Sequence, residues 1–279
     1  MPDFQFVQNP ISKKWIILAP SRASRPDVAK REESVCPFCF APKPLEVETV
    51  RIVANKFPFA PIHEIIVHSP DHHKNFGELP EDQVRLIFKT YRERYNKYRD
   101  KGQVYIFHNR GEAGGESLPH PHTQLAVVPF GIEIDIPRLN GEFSLITQNS
   151  KLKTQNYNSK VKSETIETRY FELLCPKTSQ WPDEVWIAPQ RRGRLFGEIT
   201  EEEIRDLSHI ITRLIEVLSL RHGAEFPFNF YIYPSNDWYL RLIPRSKVLG
   251  GFEIGTGIFI NTKDPKETIR FIKEHFENF

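Results

Sequence analysis

Two histidines separated by one residue, His120 and His122, follow a glycine-rich stretch between Gly111 and Gly115. Glycines let a backbone approach a phosphate group closely, and a neutral imidazole is a nucleophile near neutral pH. Pro121 restricts His120 to an extended conformation, in which residues two apart point to the same side of the chain. The spacing therefore predicts two imidazoles at one phosphate-binding site, although histidine pairs at this spacing also occur on surfaces and in cores.

A second set of possible ligands is the Cys36-x-x-Cys39 pair. Three cysteines do not make a disulfide framework in a chain of 279 residues, so this spacing indicates half of a metal site in a reducing compartment. Tetrahedral zinc needs four ligands, and two more must then come from elsewhere in the chain. A redox pair and two packed thiols are the alternatives. The third cysteine, Cys175, is expected to be buried as an apolar filler.

Strands and a long helix are expected to hold these residues in place. Apolar β-prone runs alternate with turns rich in proline and glycine, and one run at residues 124–128 directly follows the histidine pair. After Leu79, apolar residues recur at helical spacing. The predicted strands of the first half are residues 15–19, 51–54, 64–67, 104–107 and 124–128, and the predicted apolar face of the helix comprises Val84, Ile87, Phe88, Tyr91 and Tyr95.

The second half of the sequence repeats this plan loosely. Its helix is predicted at residues 200–220, where Thr-x-x-Glu provides a capping box. Residues 148–162 are mostly polar and mark the junction between the halves. The expected fold is α+β with two domains, residues 1–155 and 156–279, each a mostly antiparallel sheet packed with helices. The predicted strands of the second half are residues 169–174, 184–188, 228–233 and 239–243.

The composition excludes several classes of protein. The formal net charge is +2, and basic residues are interleaved with acidic ones, which argues against nucleic acid as the main partner. No segment approaches the roughly 18 apolar residues of a membrane span, and the N-terminus lacks the pattern of a signal peptide. We therefore expect a cytoplasmic protein with no membrane partner. A small anionic ligand is compatible with this charge.

The sequence around the histidines resembles a known active site. Ser117-x-Pro-His-Pro-His122-x-Gln124, after the loop Asn109-x-Gly-x-x-x-Gly115, is similar to the signature of the galactose-1-phosphate uridylyltransferase family, a branch of the histidine-triad superfamily. The resemblance implies two tandem histidine-triad-like domains, the first catalytic and the second contributing to sugar-phosphate binding. Further stretches that match in the family's order are Asn9-Pro10, Trp15, residues 19–26, Cys36-Pro-Phe-Cys39, Asn55 with Phe57-Pro58, residues 69–72 and residues 250–253.

By this resemblance His122 is the nucleophile. Its neutral imidazole would attack the α-phosphorus of a nucleotide sugar, release the sugar 1-phosphate and hold the nucleoside monophosphate as a phosphoramidate. A second substrate that carries a phosphate would then accept the nucleotide, which gives ping-pong kinetics. Gln124, Ser117 and backbone N–H groups around Gly115 would stabilise the charge on the phosphates.

The resemblance also implies substrate contacts from other regions. Arg22 and Arg25 match a loop that crosses a dimer interface to the partner's phosphates, so a homodimer is expected. Lys247 and Glu253 match a region that binds the sugar and its phosphate, while a surface lysine and a strand glutamate are the ordinary alternative. The remaining implied substrate-binding residues are Asn55, Asn109, Gly115 and Phe252.

For the metal site, the resemblance implies His72 and His120 as the ligands that complete Cys36 and Cys39. His73 is an adjacent alternative to His72. The expected ion is structural zinc, one per chain, which would fix the strand that presents the nucleophile.

Two departures from the uridylyltransferases and one likeness to a sister group concern the second metal and the nucleotide. Better-known family members have a second metal site built partly from a His-x-His pair, where this chain has Tyr-Leu-Arg-Leu-Ile-Pro at residues 239–244, so that site is expected to be absent. Lys56 follows Asn55 in place of an aspartate that contacts the nucleoside. Residues 238–244 and 251–257 look closer to a sister group, the ADP-glucose phosphorylases, which form the same histidine adduct with AMP.

The favoured function is uridylyl transfer from UDP-glucose to a hexose 1-phosphate, with galactose 1-phosphate as the acceptor. The alternative is an ADP-glucose phosphorylase, or another adenylyltransferase that uses the same histidine, with phosphate as the acceptor. A zinc-stabilised nucleotide-binding protein without catalysis is a second alternative, against which His122, Gln124 and Ser117 together argue. Hydrolysis is disfavoured, because Gln124 stands where histidine-triad hydrolases commonly keep a third histidine.

Overall fold

The computed structural model describes residues 4–24, 36–39, 50–139 and 165–276. Its main feature is a nine-stranded sheet, and the first two strands form a separate hairpin. The strands are β1 (Gln5–Gln8), β2 (Trp15–Leu18), β3 (Arg51–Ala54), β4 (Ile62–Val67), β5 (Gln103–Arg110), β6 (His122–Val128), β7 (Thr165–Glu167), β8 (Phe171–Leu174), β9 (Val185–Pro189), β10 (Phe228–Ile232) and β11 (Leu240–Pro244), and the α-helices are α1 (Glu81–Tyr98), α2 (Glu201–His222), α3 (Gly251–Thr256) and α4 (Pro265–Phe276).

The sheet contains strands from both halves of the chain in the order β3-β4-β6-β5-β10-β11-β9-β8-β7. All neighbouring strands are antiparallel, and β5 pairs with β10 from Ile106 opposite Ile232 to Arg110 opposite Phe228. This architecture confirms the predicted α+β class. The predicted domain boundary between residues 155 and 156 lies outside the described residues, so the division into two domains stays a prediction.

Helices α1 and α2 pack beside each other, and their apolar faces join one core with the sheet. The predicted apolar face of α1 is confirmed, since all five of its residues are buried. The predicted capping box of α2 is also confirmed: Thr200 Oγ1 accepts a hydrogen bond from the Glu203 N–H, and the Glu203 carboxylate accepts one from the Thr200 N–H. Cys175 lies in the same core, as expected.

Strand register decides which face of the sheet each side chain occupies. Alternate residues of β6, Leu125 and Val127, enter the core beneath the helices. The other set of alternate residues, which includes His122 and Gln124, therefore projects from the opposite face. None of the described helices is both long enough and apolar enough to cross a lipid bilayer.

Candidate active site and metal centre

His122 is the first residue of β6 and pairs with Val67 of β4. Only 3% of the residue is exposed. Its Nδ1 lies 2.9 Å from the carbonyl oxygen of His120. A carbonyl oxygen can only accept, so Nδ1 carries the proton and donates it in this contact. In the neutral tautomer the lone pair is therefore on Nε2, the nitrogen that could act as a nucleophile.

Gln124 lies two residues further along β6 and is also buried. The His63 Nε2 atom lies 3.0 Å from Gln124 Oε1, and Asn55 Nδ2 approaches the same oxygen at 3.5 Å. With N–H groups directed at its oxygen, the amide of Gln124 keeps its NH2 group to donate. This orientation suits hydrogen bonding to a phosphate oxygen.

The glycine loop before β6 has a compact backbone. Gly111 and Gly115 have positive φ angles of 71° and 79°, which favour glycine. The N–H groups of Gly114, Gly115 and Glu116 donate to carbonyl oxygens within the loop. The structure therefore differs from the expectation that amides around Gly115 point to a phosphate, because the tight turn uses three of them internally. Ser117, at the end of the loop, is half-buried.

A buried polar network supports β6 from the helix side. Thr123 Oγ1 lies 2.5 Å from the Tyr91 hydroxyl and 2.8 Å from His68 Nε2. His108 Nδ1 donates to the carbonyl oxygen of His122 at 2.9 Å. Burial lowers the pKa of His108 to about 3 and holds the pKa of His68 well below its ordinary value. Both imidazoles are thus neutral at pH 7, and they hold the backbone of His122 and the side chain of Thr123 without adding charge.

Cys36, Cys39, His72 and His120 form one cluster whose ligand atoms all lie within 4.8 Å of one another. Cys39 Sγ is 3.1 Å from His72 Nδ1 and 3.4 Å from His120 Nδ1, which is 3.7 Å from Cys36 Sγ. Tetrahedral zinc, with bonds of about 2.0–2.3 Å, places its ligand atoms about 3.3–3.8 Å apart. His120 Nε2 donates to the Ser69 carbonyl at 2.9 Å, which turns Nδ1 to the sulfurs. The four residues fit a four-coordinate metal ion.

The Cys/His cluster adjoins His122 through Phe38. The centroid of its ring lies 5.8 Å from that of His120 and 5.5 Å from that of His122. Burial lowers the pKa values of His72 and His120, which favours the neutral form that binds metals. The cluster contains His72, and His73 packs beside it with ring centroids 4.8 Å apart.

Arg22 lies close to the amide network within its own chain. Its Nη1 donates to the Phe57 carbonyl, and its guanidinium carbon lies 4.9 Å from the centre of the Phe59 ring. The Phe59 ring in turn contacts His63, with centroids 4.2 Å apart. Arg22 is therefore separated from the imidazole that holds Gln124 by one aromatic side chain. Arg25 lies outside the described residues.

The predicted sugar-binding residues lie in and before α3. Lys247 Nζ forms an ion pair with the Glu253 carboxylate and donates to the Ile260 carbonyl at 2.7 Å. Glu253 is buried and lies on a helix, where it accepts the Gly250 N–H at 3.1 Å. Phe252 is 54% exposed. Within the described ranges, the hydrogen bonds of Lys247 and Glu253 join them to each other and to their own segment.

The segment that contains Lys247 and Glu253 leaves the sheet beside the glycine loop. Pro244, the last residue of β11, pairs with Phe228 of β10, and Phe228 pairs on its other side with Arg110, the last residue of β5. Residues 245–253 and the glycine loop therefore begin at the same end of the strands, which is also the end where β6 begins.

Three residues of this region are not predicted from the sequence. His63 contacts Gln124, Asn229 donates to Asn109 Oδ1 at 2.8 Å, and Arg245 donates to Asn229 Oδ1 at 2.8 Å. His63 and Asn229 are polar residues within apolar strands, which is a detectable signal. The signal does not identify their partners, because those depend on pairing between distant strands.

The sequence of this chain is similar to a family model and to known enzymes. The family model "Galactose-1-phosphate uridyl transferase, N-terminal domain" matches residues 60–128. The ADP-glucose phosphorylase of Arabidopsis thaliana is 23% identical, over 96% of this chain and 92% of the relative. The galactose-1-phosphate uridylyltransferase of Thermotoga maritima is 25% identical, over 95% of this chain and 96% of the relative.

Solved structures show the same fold. A crystal structure of the ADP-glucose phosphorylase from Arabidopsis thaliana with bound ADP-glucose superimposes with a TM-score of 0.70, at 22% identity, over 97% of this chain and 99% of that one. A uridylyltransferase structure gives a TM-score of 0.77 at 24% identity, over 98% of both chains. Together with the sequence relatives, these matches confirm the resemblance of the chain to the galactose-1-phosphate uridylyltransferase family.

Proposed function

We propose that this protein is a nucleotidyltransferase that carries a nucleoside monophosphate on Nε2 of His122. One observation carries the proposal: the Nδ1–H of His122 donates to the His120 carbonyl, which leaves the lone pair of a neutral imidazole on Nε2. A buried histidine in a merely structural role does not require an oriented amide two residues away on the same face of the strand. Gln124 supplies that amide, and its donors are available to a phosphate.

The reaction has two steps of the same kind. First, the Nε2 lone pair forms a bond to the α-phosphorus, and the bond from that phosphorus to the bridging oxygen breaks. The electron pair of the broken bond stays on the departing sugar 1-phosphate, and the Nδ1 proton stays on the imidazole. Second, an oxygen of the acceptor phosphate attacks the same phosphorus, and the electron pair of the N–P bond returns to Nε2.

The surrounding residues stabilise charge on the phosphates. Gln124 donates to a non-bridging oxygen of the phosphorus that is attacked, and Ser117 at the end of the glycine loop donates to a neighbouring phosphate. Arg22 supplies a guanidinium near this position, and Asn55 and Asn109 line the approach. These groups act as hydrogen-bond donors and do not have to change their protonation state during the reaction.

The favoured reaction is uridylyl transfer from UDP-glucose to a hexose 1-phosphate. Adenylyl transfer, with ADP-glucose as the donor and phosphate as the acceptor, is the second candidate. It is favoured by Lys56, which replaces an aspartate beside Asn55, and by the sequence of residues 251–257. The similarity to ADP-glucose phosphorylase over 96% of this chain supports the same candidate.

A direct test is to incubate the protein separately with UDP-glucose and with ADP-glucose and to measure its intact mass. We expect a mass increase of one UMP or one AMP, stable in alkali and labile in acid, and none in His122→Gln. The donor that forms the adduct identifies the nucleotide. No adduct with either donor, or an undiminished adduct in the variant, would refute the proposed function.

We propose zinc as the ion held by Cys36, Cys39, His72 and His120, because two thiolates and two imidazoles at these distances suit it. The ion would be structural and would hold the segment before β6. Elemental analysis of the purified protein should give about one zinc per chain, and Cys39→Ser should lower both the zinc content and the melting temperature. A metal-free wild-type protein that keeps its melting temperature in a chelator would contradict this assignment.

The proposal includes a homodimer. Arg22 follows β2, on which Ile16 and Leu18 are 49% and 50% exposed, and such apolar side chains are suited to a second copy of the chain. Light scattering after size exclusion should give twice the mass of one chain, and Ile16→Lys with Leu18→Lys should give the mass of one. A monomeric wild-type protein would refute this part.

A further inference from the structure

Arg245 directly follows β11 and is held in a defined orientation. Its backbone N–H donates to the Pro227 carbonyl at 2.7 Å, and its Nη1 donates to Asn229 Oδ1 at 2.8 Å. The guanidinium carbon lies 4.5 Å from the centre of the Trp181 ring. Its Nε is buried and makes no hydrogen bond within the part of the chain that the structure describes. The side chain is thus fixed while part of its donor capacity is unused.

The charge of Arg245 is not neutralised by the described residues. No carboxylate among them forms an ion pair with it, and burial lowers its pKa without an acidic neighbour to oppose the effect. An arginine nevertheless stays protonated at neutral pH. Other cations of this region are paired, since Arg241 contacts Glu184 and Lys247 contacts Glu253. A half-buried, unneutralised guanidinium is suited to bind an anion.

The position of Arg245 connects it to the glycine loop. Asn229, which accepts from Arg245, donates through Nδ2 to Asn109 Oδ1 at 2.8 Å and to the Gly114 carbonyl at 2.7 Å. Asn109 and Asn229 are also partners across β5 and β10. β6 begins with His122 at this same end of the strands. Arg245 therefore flanks the His122 site from the second half of the chain.

We infer that Arg245 binds the phosphate group that leaves in the first step and attacks in the second, either that of a sugar 1-phosphate or inorganic phosphate. This inference rests on the proposed nucleotidyl transfer. When the P–O bond breaks, the electron pair stays on this phosphate, and the same group carries the attacking oxygen in the second step. One guanidinium therefore stabilises this phosphate in both steps. Lys247, which the sequence suggested for this role, already has its charge neutralised by Glu253.

Direct binding tests this role without requiring catalysis. Inorganic phosphate and glucose 1-phosphate are titrated separately with the full-length, metal-containing protein, and binding is followed by phosphorus NMR. Arg245→Gln should weaken binding about tenfold or more, and Arg245→Lys should weaken it less, because lysine keeps the charge but not the planar fork. The matched control is Arg169→Gln, which removes an exposed guanidinium stacked 5.1 Å from the Tyr170 ring and should bind like the wild type.

A kinetic measurement separates this inference from the proposed function. The adduct on His122 is formed first, and its consumption by each acceptor is then followed. Arg245→Gln should raise the apparent KM for the acceptor about tenfold or more, and the acceptor with the larger change is the one that Arg245 serves. If the wild type forms no adduct, the proposed function fails, while the binding titration still decides whether Arg245 binds phosphate.

Three results would overturn the inference. The first is a wild-type protein that binds neither phosphate compound. The second is Arg245→Gln with a native circular dichroism spectrum and wild-type affinity. The third applies if Arg245→Gln does not fold, and it concerns Arg245→Lys. This variant is expected to lower the affinity for phosphate at least about threefold, so unchanged affinity and unchanged KM would overturn the inference.

Discussion

The two halves of the nine-stranded sheet place very different side chains at corresponding positions. β5 and β10 pair symmetrically about His108 and Phe230, so β6 beside β5 corresponds to β11 beside β10. Thr123 of β6 lies opposite His108, and Leu242 of β11 lies opposite Phe230. His122 and Arg241, the residues directly before these two, therefore occupy corresponding positions. One half presents an imidazole at this position, and the other half presents a guanidinium.

The surroundings of Arg241 satisfy its charge within the protein. Its Nη2 lies 2.8 Å from Glu184 Oε2, its Nη1 donates to the Tyr231 hydroxyl at 2.9 Å, and Trp186 Nε1 donates to the other carboxylate oxygen at 2.7 Å. Burial opposes the charge of Arg241, but the Glu184 carboxylate outweighs this effect and raises its pKa. Within the described residues, the guanidinium of Arg241 is thus bound by the protein itself, whereas the amide of Gln124 keeps its NH2 group to donate.

The largest expected effect concerns His122, the proposed nucleophile of the first half. His122→Gln should lower the rate of nucleotidyl transfer by about 10⁴-fold or more, because glutamine has no nucleophilic nitrogen with which to form the proposed covalent intermediate. Stopped assays with either nucleotide sugar measure this loss. The melting temperature should change little, since glutamine can still donate to the His120 carbonyl. A variant that loses activity only in proportion to its unfolded fraction would show that His122 is structural, as Arg241 is.

The corresponding change in the second half should affect stability instead. Arg241→Met leaves Glu184 buried and without its cation, and should lower the free energy of unfolding by about 3–5 kcal/mol. Urea denaturation measures the loss, and adduct formation per folded molecule should stay at the wild-type level. Adding Glu184→Gln to Arg241→Met should recover much of the stability, because it removes the uncompensated charge. A single variant as stable as the wild type would contradict this interpretation of the pair.

The comparison also shows what the sequence could predict. The helix after Leu79 and the Thr200 capping box were predictable, because periodicity and capping are local. The contact between His63 and Gln124 was not, because it depends on the register between β4 and β6, which are far apart in the chain. The ion pair between Lys247 and Glu253 was also not predictable, since nothing local indicates that the Glu253 side chain turns towards Lys247.

The candidate site was predicted partly by residue type and partly by resemblance. Spacing alone identified Cys36 and Cys39 as half of a metal site, but it did not supply His72 or His120, which came from the resemblance to the family. The structure brings all four together because the start of β6 and the segment after β4 lie at the same end of these paired strands. Arg245 was missed, because an arginine after a strand is ordinary until its partners are known.

A third prediction uses pH to compare the two halves. The unfolded chain protonates a histidine below about pH 6.5, whereas folded His108 has a pKa of about 3, so stability falls as the pH decreases from 6.5 towards 3. At pH 5 this loss is about 2 kcal/mol for His108 alone. His108→Phe, which copies Phe230 of the second half, should remove that part of the pH dependence. Urea denaturation at pH 7 and pH 5 measures it.

The control for this experiment is the wild type at both pH values, since His68 also stays neutral in the folded state and adds its own loss. The quantity to compare is the difference in unfolding free energy between pH 7 and pH 5, because His108→Phe also changes packing at every pH. If this difference is the same in the variant and the wild type, His108 is not the acid-sensitive group.

The smallest expected effect concerns how the first half orients its amide. Ile243 corresponds to Gln124 in the second half, so only the first half requires an oriented donor. His63→Leu removes the bond to Gln124 Oε1 and should lower the transfer rate about three- to tenfold, the value of one hydrogen bond, with little change in KM. In Gln124→Ala, the same His63→Leu change should have almost no further effect, since there is no amide left to orient. Additive losses would mean that His63 acts independently of Gln124.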